Sequence, residues 1–179
     1  MIERERKYIF TNYFLFLNLK RKAIKKIKII QFYNDKNERY RLNLNEDIWI
    51  YNQKKYISDE KRFEKENIIN NDKINDLKLS NSKCVAKYRY ILNEDPEIVL
   101  DEIKNIDNIL NYKKNLKYIL EIEEKNIYIK DLDDYLKNYL MDDYNYLKDV
   151  TDLKEFSNIN FASNFDIDYI NLIKKFKEE

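Results

Sequence analysis

Lys83-Cys84-Val85-Ala86-Lys87-Tyr88-Arg89-Tyr90-Ile91-Leu92 has the residue types of a β-strand, yet Lys87 and Arg89 sit two residues apart among apolar neighbours. In extended chain, residues i and i+2 point to one side of a sheet. Both cations are therefore aimed at one place, while Tyr88 and Tyr90 face the other way. Four further like-charge pairs share this spacing: Glu3/Glu5, Arg39/Arg41, Glu64/Glu66 and Glu121/Glu123. With 34 basic residues in 179, roughly six basic pairs of this kind arise by chance, so no single pair carries meaning. Their arrangement does, because they lie in segments that are otherwise apolar. A sandwich would leave such a face wet. A closed barrel with an apolar outer layer turns it into a charged lumen.

Around these pairs the chain divides into short segments of period-two character. Strands are expected at Ile2 to Phe10, Ile27 to Tyr33, Arg39 to Leu44, Ile48 to Lys54, Lys61 to Ile69, Lys83 to Leu92, Ile98 to Ile103 and Leu116 to Glu123. The chain has no glycine, so turns fall to Asn and Asp, the residues next most tolerant of left-handed backbone. They cluster at Asn34 to Asn37, Asn43 to Asp47, Asn70 to Asp72 and Asn93 to Asp95. Three helices complete the reading. One runs from Asn12, capped by Thr11, to about Lys26, burying Tyr13, Phe14, Leu17, Ile24 and Ile27. A second runs from Lys130 to Met141, with Leu132, Leu136, Tyr139 and Leu140 inward, and a third from Asp166 to Lys177. The expectation is one α+β, β-dominated domain over residues 1–179: an eight-stranded antiparallel barrel with flanking helices. Trp49 reads as a packing or rim residue, and Cys84 as a small structural residue.

Composition removes whole classes of chemistry. Hydrophobic residues make up 44% and charged residues 37%, enough for a core under a charged skin and unlike a disordered tail. Without histidine there is no Ser-His, Cys-His or His-metal constellation, and without glycine no Walker or dinucleotide-binding loop. The net charge is +1, which gives no overall field toward nucleic acid or an anionic membrane. A single cysteine forms no intramolecular disulfide, and Tyr13 to Leu19 is too short to span a bilayer, so a cytoplasmic setting is expected. A lumen holding carboxylates and guanidiniums together needs mutual compensation or a ligand. Carboxylates alone suit hard cations such as Mg²⁺ or Mn²⁺, and clustered Arg and Lys suit phosphoryl oxygens. Together they describe a site for a metal-complexed polyphosphate.

At this point the residues resemble a known family. Ile2-Glu3-Arg4-Glu5-Arg6-Lys7 resembles the E-x-E-x-K signature of the CYTH superfamily, the triphosphate tunnel metalloenzymes. Its other motifs follow in order. Gln31 and Tyr33 are similar to a Q-x-Y strand, Arg39-Tyr40-Arg41 to R-x-R, and Lys54 to the lysine of T-x-K, with Asn52 in place of threonine. Arg62 to Glu66 is similar to R-x-E-x-E, Lys87 to Tyr90 to K-x-R-y with acidic Asp101 on the next strand, and Glu121-Ile122-Glu123 to the late E-x-E. Asp149-Val150-Thr151, with Phe156, Ser157, Asn158 and Ala162, resembles the E-V-T…Y-x-N…A segment of bacterial triphosphatase members, with Asp for Glu and Phe for Tyr.

The resemblance implies a tunnel through the barrel, with Asp166 to Lys177 either a plug helix or a plain packing helix. It implies that Glu3, Glu5, Glu121 and Glu123 hold a divalent metal. Lys7, Arg39, Arg41, Lys54, Arg62, Lys87 and Arg89 would line the walls and bind phosphates. Glu64 and Glu66 would position a second metal or the attacking water, and Lys7 would sit beside the chemistry. The implied activity is metal-dependent hydrolysis of inorganic triphosphate or a similar small triphosphate, on a monomer or homodimer. An adenylyl cyclase of the same superfamily, acting on ATP, and a module that binds polyphosphate or nucleotide without turnover are the alternatives.

Overall fold

The computed structural model describes residues 2–36, 38–57, 61–70, 73–74, 79, 82–112 and 116–179. Within these, the side chains of Ile2, Glu3, Lys54, Lys55, Tyr56, Lys61, Arg62 and Glu64 lie outside the description. The strands are β1 (Ile2–Phe10), β2 (Lys25–Tyr33), β3 (Arg39–Asn43), β4 (Ile48–Tyr56), β5 (Lys61–Ile69), β6 (Lys83–Glu94), β7 (Glu97–Lys104), β8 (Tyr118–Glu123) and β9 (Leu147–Asp149). The helices are α1 (Tyr13–Arg21), α2 (Leu132–Leu140), the short α3 (Asn158–Phe161) and α4 (Tyr169–Glu178).

All strand pairings are antiparallel, in the order β5-β4-β3-β2-β6-β7-β8-β1-β9. In addition, β1 pairs with β5 through Ile2↔Phe63, Glu3↔Arg62 and Arg4↔Lys61. The eight expected strands are all present, several of them longer than their periodic cores. The ninth, β9, is three residues lying along β1 at Tyr8 to Phe10. No sequence signal predicts it.

The sheet has two unlike faces. One carries Tyr8, Ile30, Phe32, Leu42, Tyr88, Tyr90, Leu100, Leu120 and Ile122 and packs under the helices. Onto it fold Leu15, Phe16 and Leu19 of α1, Leu132, Leu136 and Leu140 of α2, and Tyr169, Leu172 and Phe176 of α4. Phe16 lies 4.1 Å from the Tyr118 ring and Phe176 stacks on Tyr88 at 5.6 Å between centroids. Burying a side chain of this size stabilises the fold by about 1.5–3 kcal/mol, so this face is where the main apolar core sits. Trp49 belongs to it, 6.1 Å from Phe32, and Cys84 is fully buried.

The expectations for the first two helices need correction, and the last helix takes one of its two readings. Asn12, not Thr11, caps α1: its side chain accepts from the Phe14 N–H. The helix stops at Arg21, because Lys25 onward is drawn into the ladder with β6, where β-branched residues fit better. Its buried stripe is Leu15, Phe16 and Leu19, while Tyr13 is 50% and Phe14 72% exposed. In α2, Tyr139 turns outward. Finally, α4 is a packing helix: it covers the face of Tyr88 and Phe32, opposite the side on which Lys87 and Arg89 lie. It plugs nothing.

Turn chemistry follows the lack of glycine. Asp47, Asp107 and Asn108 adopt φ of 56°, 48° and 62°, left-handed values that Asp and Asn tolerate.

Candidate active site

Register decides which side chains meet. Cross-strand partners project to the same face, and the register partners run Glu5↔Glu123↔Glu97, Lys7↔Glu121↔Val99, and Arg89↔Asp101↔Ile119 across β1, β8, β7 and β6. The row continues through β2 and β3 to β5 as Gln31↔Arg41 and Tyr33↔Arg39↔Asn52↔Glu66. All of these occupy the face away from the main core.

At its centre is a buried chain of ion pairs. Asp101, fully buried, accepts from Arg89 Nε and Nη2, both at 2.8 Å, and pairs with Lys87, which is 1% exposed. Arg89 Nη2 also reaches Glu121 at 2.8 Å, and Glu121 pairs with Lys7 Nζ at 2.9 Å. Burial disfavours the Glu121 carboxylate, but Lys7, Lys87 and Arg89 outweigh it and hold its pKa well below the ordinary value. Asp101 is held down in the same way, against burial, by Arg89 and Lys87. Burial, with Arg89 beside it, pushes the Lys87 ammonium down to about 8.

Across the same face, Arg39 Nη2 lies 3.2 Å and Arg41 Nη1 3.9 Å from Glu66 Oε1, which also accepts from Asn52 Nδ2 at 2.9 Å. Among the buried polar atoms here, Gln31 Nε2 and Asn52 Oδ1 have no hydrogen-bond partner among the described residues. A buried orphan amide is costly unless a ligand or water answers it.

The face is dry at one end. Phe161 of α3 and Ala162 pack against Tyr33, Val85, Ile103 and Ile119, forming a second small apolar cluster. Next to it, residues 149–151 run along β1. Val150 N–H donates to the Lys7 carbonyl at 2.9 Å, and Lys7 N–H donates to Thr151 Oγ1 at 3.0 Å. The Asp149-Val150-Thr151 segment thus fixes the backbone of Lys7, whose Nζ also points to the Phe156 carbonyl at 3.4 Å.

The structure therefore brings together Lys7, Arg89, Lys87 and Glu121, sets Glu5 opposite Glu123, and gathers Arg39 and Arg41 about Glu66. The side chains of Glu3, Lys54, Arg62 and Glu64 lie outside the described residues. Asp101 and Asn52 have larger parts than the spacing suggested. Their signal was an acid, Asp101, beside Glu102 in the otherwise apolar stretch Ile98 to Ile103, and an amide where a hydroxyl was expected. As for a divalent metal, no group of three His, Cys, Asp or Glu among the described residues is close enough to hold one. Glu5 and Glu123, paired across the ladder, are an oxygen-only donor set, and Mg²⁺ is commonly held by one or two carboxylates with substrate phosphates. That donor set fits.

Comparison with solved structures identifies the architecture. The PH1012 protein of Pyrococcus horikoshii OT3 superposes with a TM-score of 0.56 at 16% identity, over 82% of this chain and 94% of that one. The hypothetical protein NE1496 gives 0.50 at 15% identity, over 93% of this chain and 99% of that one. HpAC1 from Hippeastrum gives 0.52 at 11% identity, over 97% and 95%. The chain has the CYTH fold. No family model and no curated protein matches its sequence. The likeness to these structures is one of fold, at 16% identity or less. No helix among the described residues is long and apolar enough to cross a membrane.

Proposed function

We propose that the charged face is the inner wall of a closed eight-stranded barrel, completed by the β1–β5 pairing, and that it hydrolyses a small triphosphate with the help of a divalent metal. One observation carries this reading: Lys7, Arg39, Arg41, Lys87 and Arg89 share one face with the facing carboxylates Glu5 and Glu123. Hydrolysis of a phosphoanhydride is accelerated mainly by positioning and by stabilising charge on the transferring oxygens. Fixed cations on several strands supply both. Gln31 Nε2, buried without a partner among the described residues, is a further donor for a phosphoryl oxygen.

Glu5 and Glu123, with Glu3 and Glu121 beside them, are assigned to a Mg²⁺ or Mn²⁺ ion. When bound, the ion would neutralise phosphate charge and lower the pKa of a water. Glu121 meanwhile holds the Lys7 ammonium in place, and Asp101 orients Lys87 and Arg89. Glu66 occupies Arg39 and Arg41 as a triphosphate oxygen would, and gives them up when substrate arrives. Lys54, Arg62 and Glu64 are assigned to the same wall from their strand positions. That HpAC1 is described as having a dominant triphosphatase activity supports the same chemistry on this fold.

The test is release of orthophosphate from inorganic triphosphate by purified protein with Mg²⁺ or Mn²⁺. Glu5→Gln and Glu123→Gln are expected to abolish turnover with an unchanged circular dichroism spectrum, and Arg39→Ala to raise KM. Cyclic AMP and pyrophosphate formed from ATP would replace this reading with the cyclase. Tight triphosphate binding without product would replace it with a binding module.

A further inference from the structure

Away from the charged wall, positive charge concentrates where α1 runs into β2. Lys20-Arg21-Lys22-Ala23-Ile24-Lys25-Lys26-Ile27-Lys28 holds six cations in nine residues and no acid, in a chain of net charge +1. Lys26 and Lys28 pair with Tyr90 and Tyr88 of β6, so they lie on the helix-covered face, whereas Ile27 pairs with Arg89 on the other. Four ammonium groups gather over the two tyrosine rings. Lys26 Nζ is 4.0 Å, Lys104 Nζ 5.0 Å and Lys28 Nζ 5.6 Å from the Tyr88 centroid, and Lys20 Nζ is 4.8 Å from that of Tyr90.

Compensation is uneven. Glu102 reaches Lys20 at 2.8 Å and Lys104 at 4.0 Å. Among the described residues Lys26 and Lys28 form no ion pair; Lys28 Nζ donates to the Phe176 and Lys177 carbonyls at the end of α4, each at 3.2 Å. These two lysines line a cavity of about 230 Å³ with Leu44, Asn45 and Lys177, the last tied to Asp47 at 3.1 Å. Ring faces attract the ammoniums but do not cancel their mutual repulsion. Burial and the neighbouring Lys20, Lys28 and Lys104 lower the pKa of Lys26 despite Glu102.

We propose that this cavity is a binding site for a phosphate-class oxyanion, on the opposite side of the sheet from the charged wall. Lysine ammoniums are compact point charges that suit a tetrahedral oxyanion without demanding the planar fork geometry of guanidinium partners. A dianion set among Lys26, Lys28 and Lys177 supplies the counter-charge that the two unpaired lysines lack, and Asn45 adds a polar wall. The cavity accommodates one phosphate group, borne either by free orthophosphate or by the backbone of a polynucleotide.

The experiment is an orthophosphate titration of ¹⁵N-labelled protein at constant ionic strength, followed at backbone amides. Saturable shifts at Lys26, Lys28, Asn45 and Lys177 are expected. In the double variant Lys26→Gln/Lys177→Gln, affinity read at Lys28 and Asn45 falls about tenfold or more, while any response at Lys87 and Arg89 persists. Those last residues report the wall separately, so failure there leaves this site untouched. Equal affinity in the variant, or the same shifts from sodium chloride, overturns the proposal. A short single-stranded oligonucleotide forms the second arm. Displacement of orthophosphate from the same amides supports the site and names polymer-borne phosphate as its source. An oligonucleotide response with orthophosphate inert overturns the cavity as a phosphate site.

Discussion

Asp101 is the residue on which the charged wall turns. It sits fully buried against Lys87 and Arg89, two cations that burial would otherwise drive toward neutrality or outward. Removing one partner of a buried ionic group leaves an uncompensated charge, which costs about 3–5 kcal/mol. Asp101→Asn is therefore expected to lower unfolding stability by roughly that amount in urea melts, and a loss below ~1 kcal/mol would refute the assigned role. The alternation of like charges made Lys87, Arg89 and Glu121 legible as one-sided residues. Asp101, next to Glu102 in the sequence, formed no such pair: its meaning lies in a cross-strand neighbour, Arg89, and spacing within one strand carries no register. Asn52 was obscured for the same reason: its partner Glu66 is on the adjacent strand.

At the scale of elements, α2 is docked by a polar latch rather than by apolar packing alone. Tyr8 of β1 donates to Asp133 Oδ1 at 2.7 Å, Tyr144 donates to the same oxygen, and Lys137 pairs with Oδ2 at 2.7 Å. Burial works against the Asp133 carboxylate, but the bonds from Lys137, Tyr144 and Tyr8 bring its pKa down to about 2. A carboxyl whose folded pKa lies below its unfolded value of about 3.9 adds stability above that value, and the gain is lost as pH falls through the folded one. Urea midpoints of the wild type should thus decline between about pH 4 and pH 2, with a shallower decline in Asp133→Asn. Equal slopes would disprove the latch. Helix identity was readable from apolar spacing, but limits were not. Ile24 and Ile27 fit a helical stripe as well as a strand, and only pairing with β6 decides between them. Three residues, Leu147 to Asp149, are too few for any periodicity to register.

For the whole molecule, the β1–β5 pairing determines whether the sheet is a ring. Ile2 and Phe63 are register partners. Ile2→Cys with Phe63→Cys should therefore form an intramolecular disulfide under mild oxidation, seen as a gel shift reversed by reductant, with Cys84 shielded by burial. Persistent free thiols in the folded double variant would argue for an open sheet. The architecture was legible because eight strands and their charged sides follow period two. The closing element was not, because the residue that stops the charged side comes from outside the ladder. Phe161 belongs to a four-residue helix, packs its ring on Tyr33, Val85, Ile103 and Ile119, and is followed by Ser163, which bridges to Cys84 of β6. The end of the polar lane is thus set by a ring that one backbone bridge, Cys84 with Ser163, holds against β6: shortening that side chain would lengthen the lane while the bridge keeps its carrier in place.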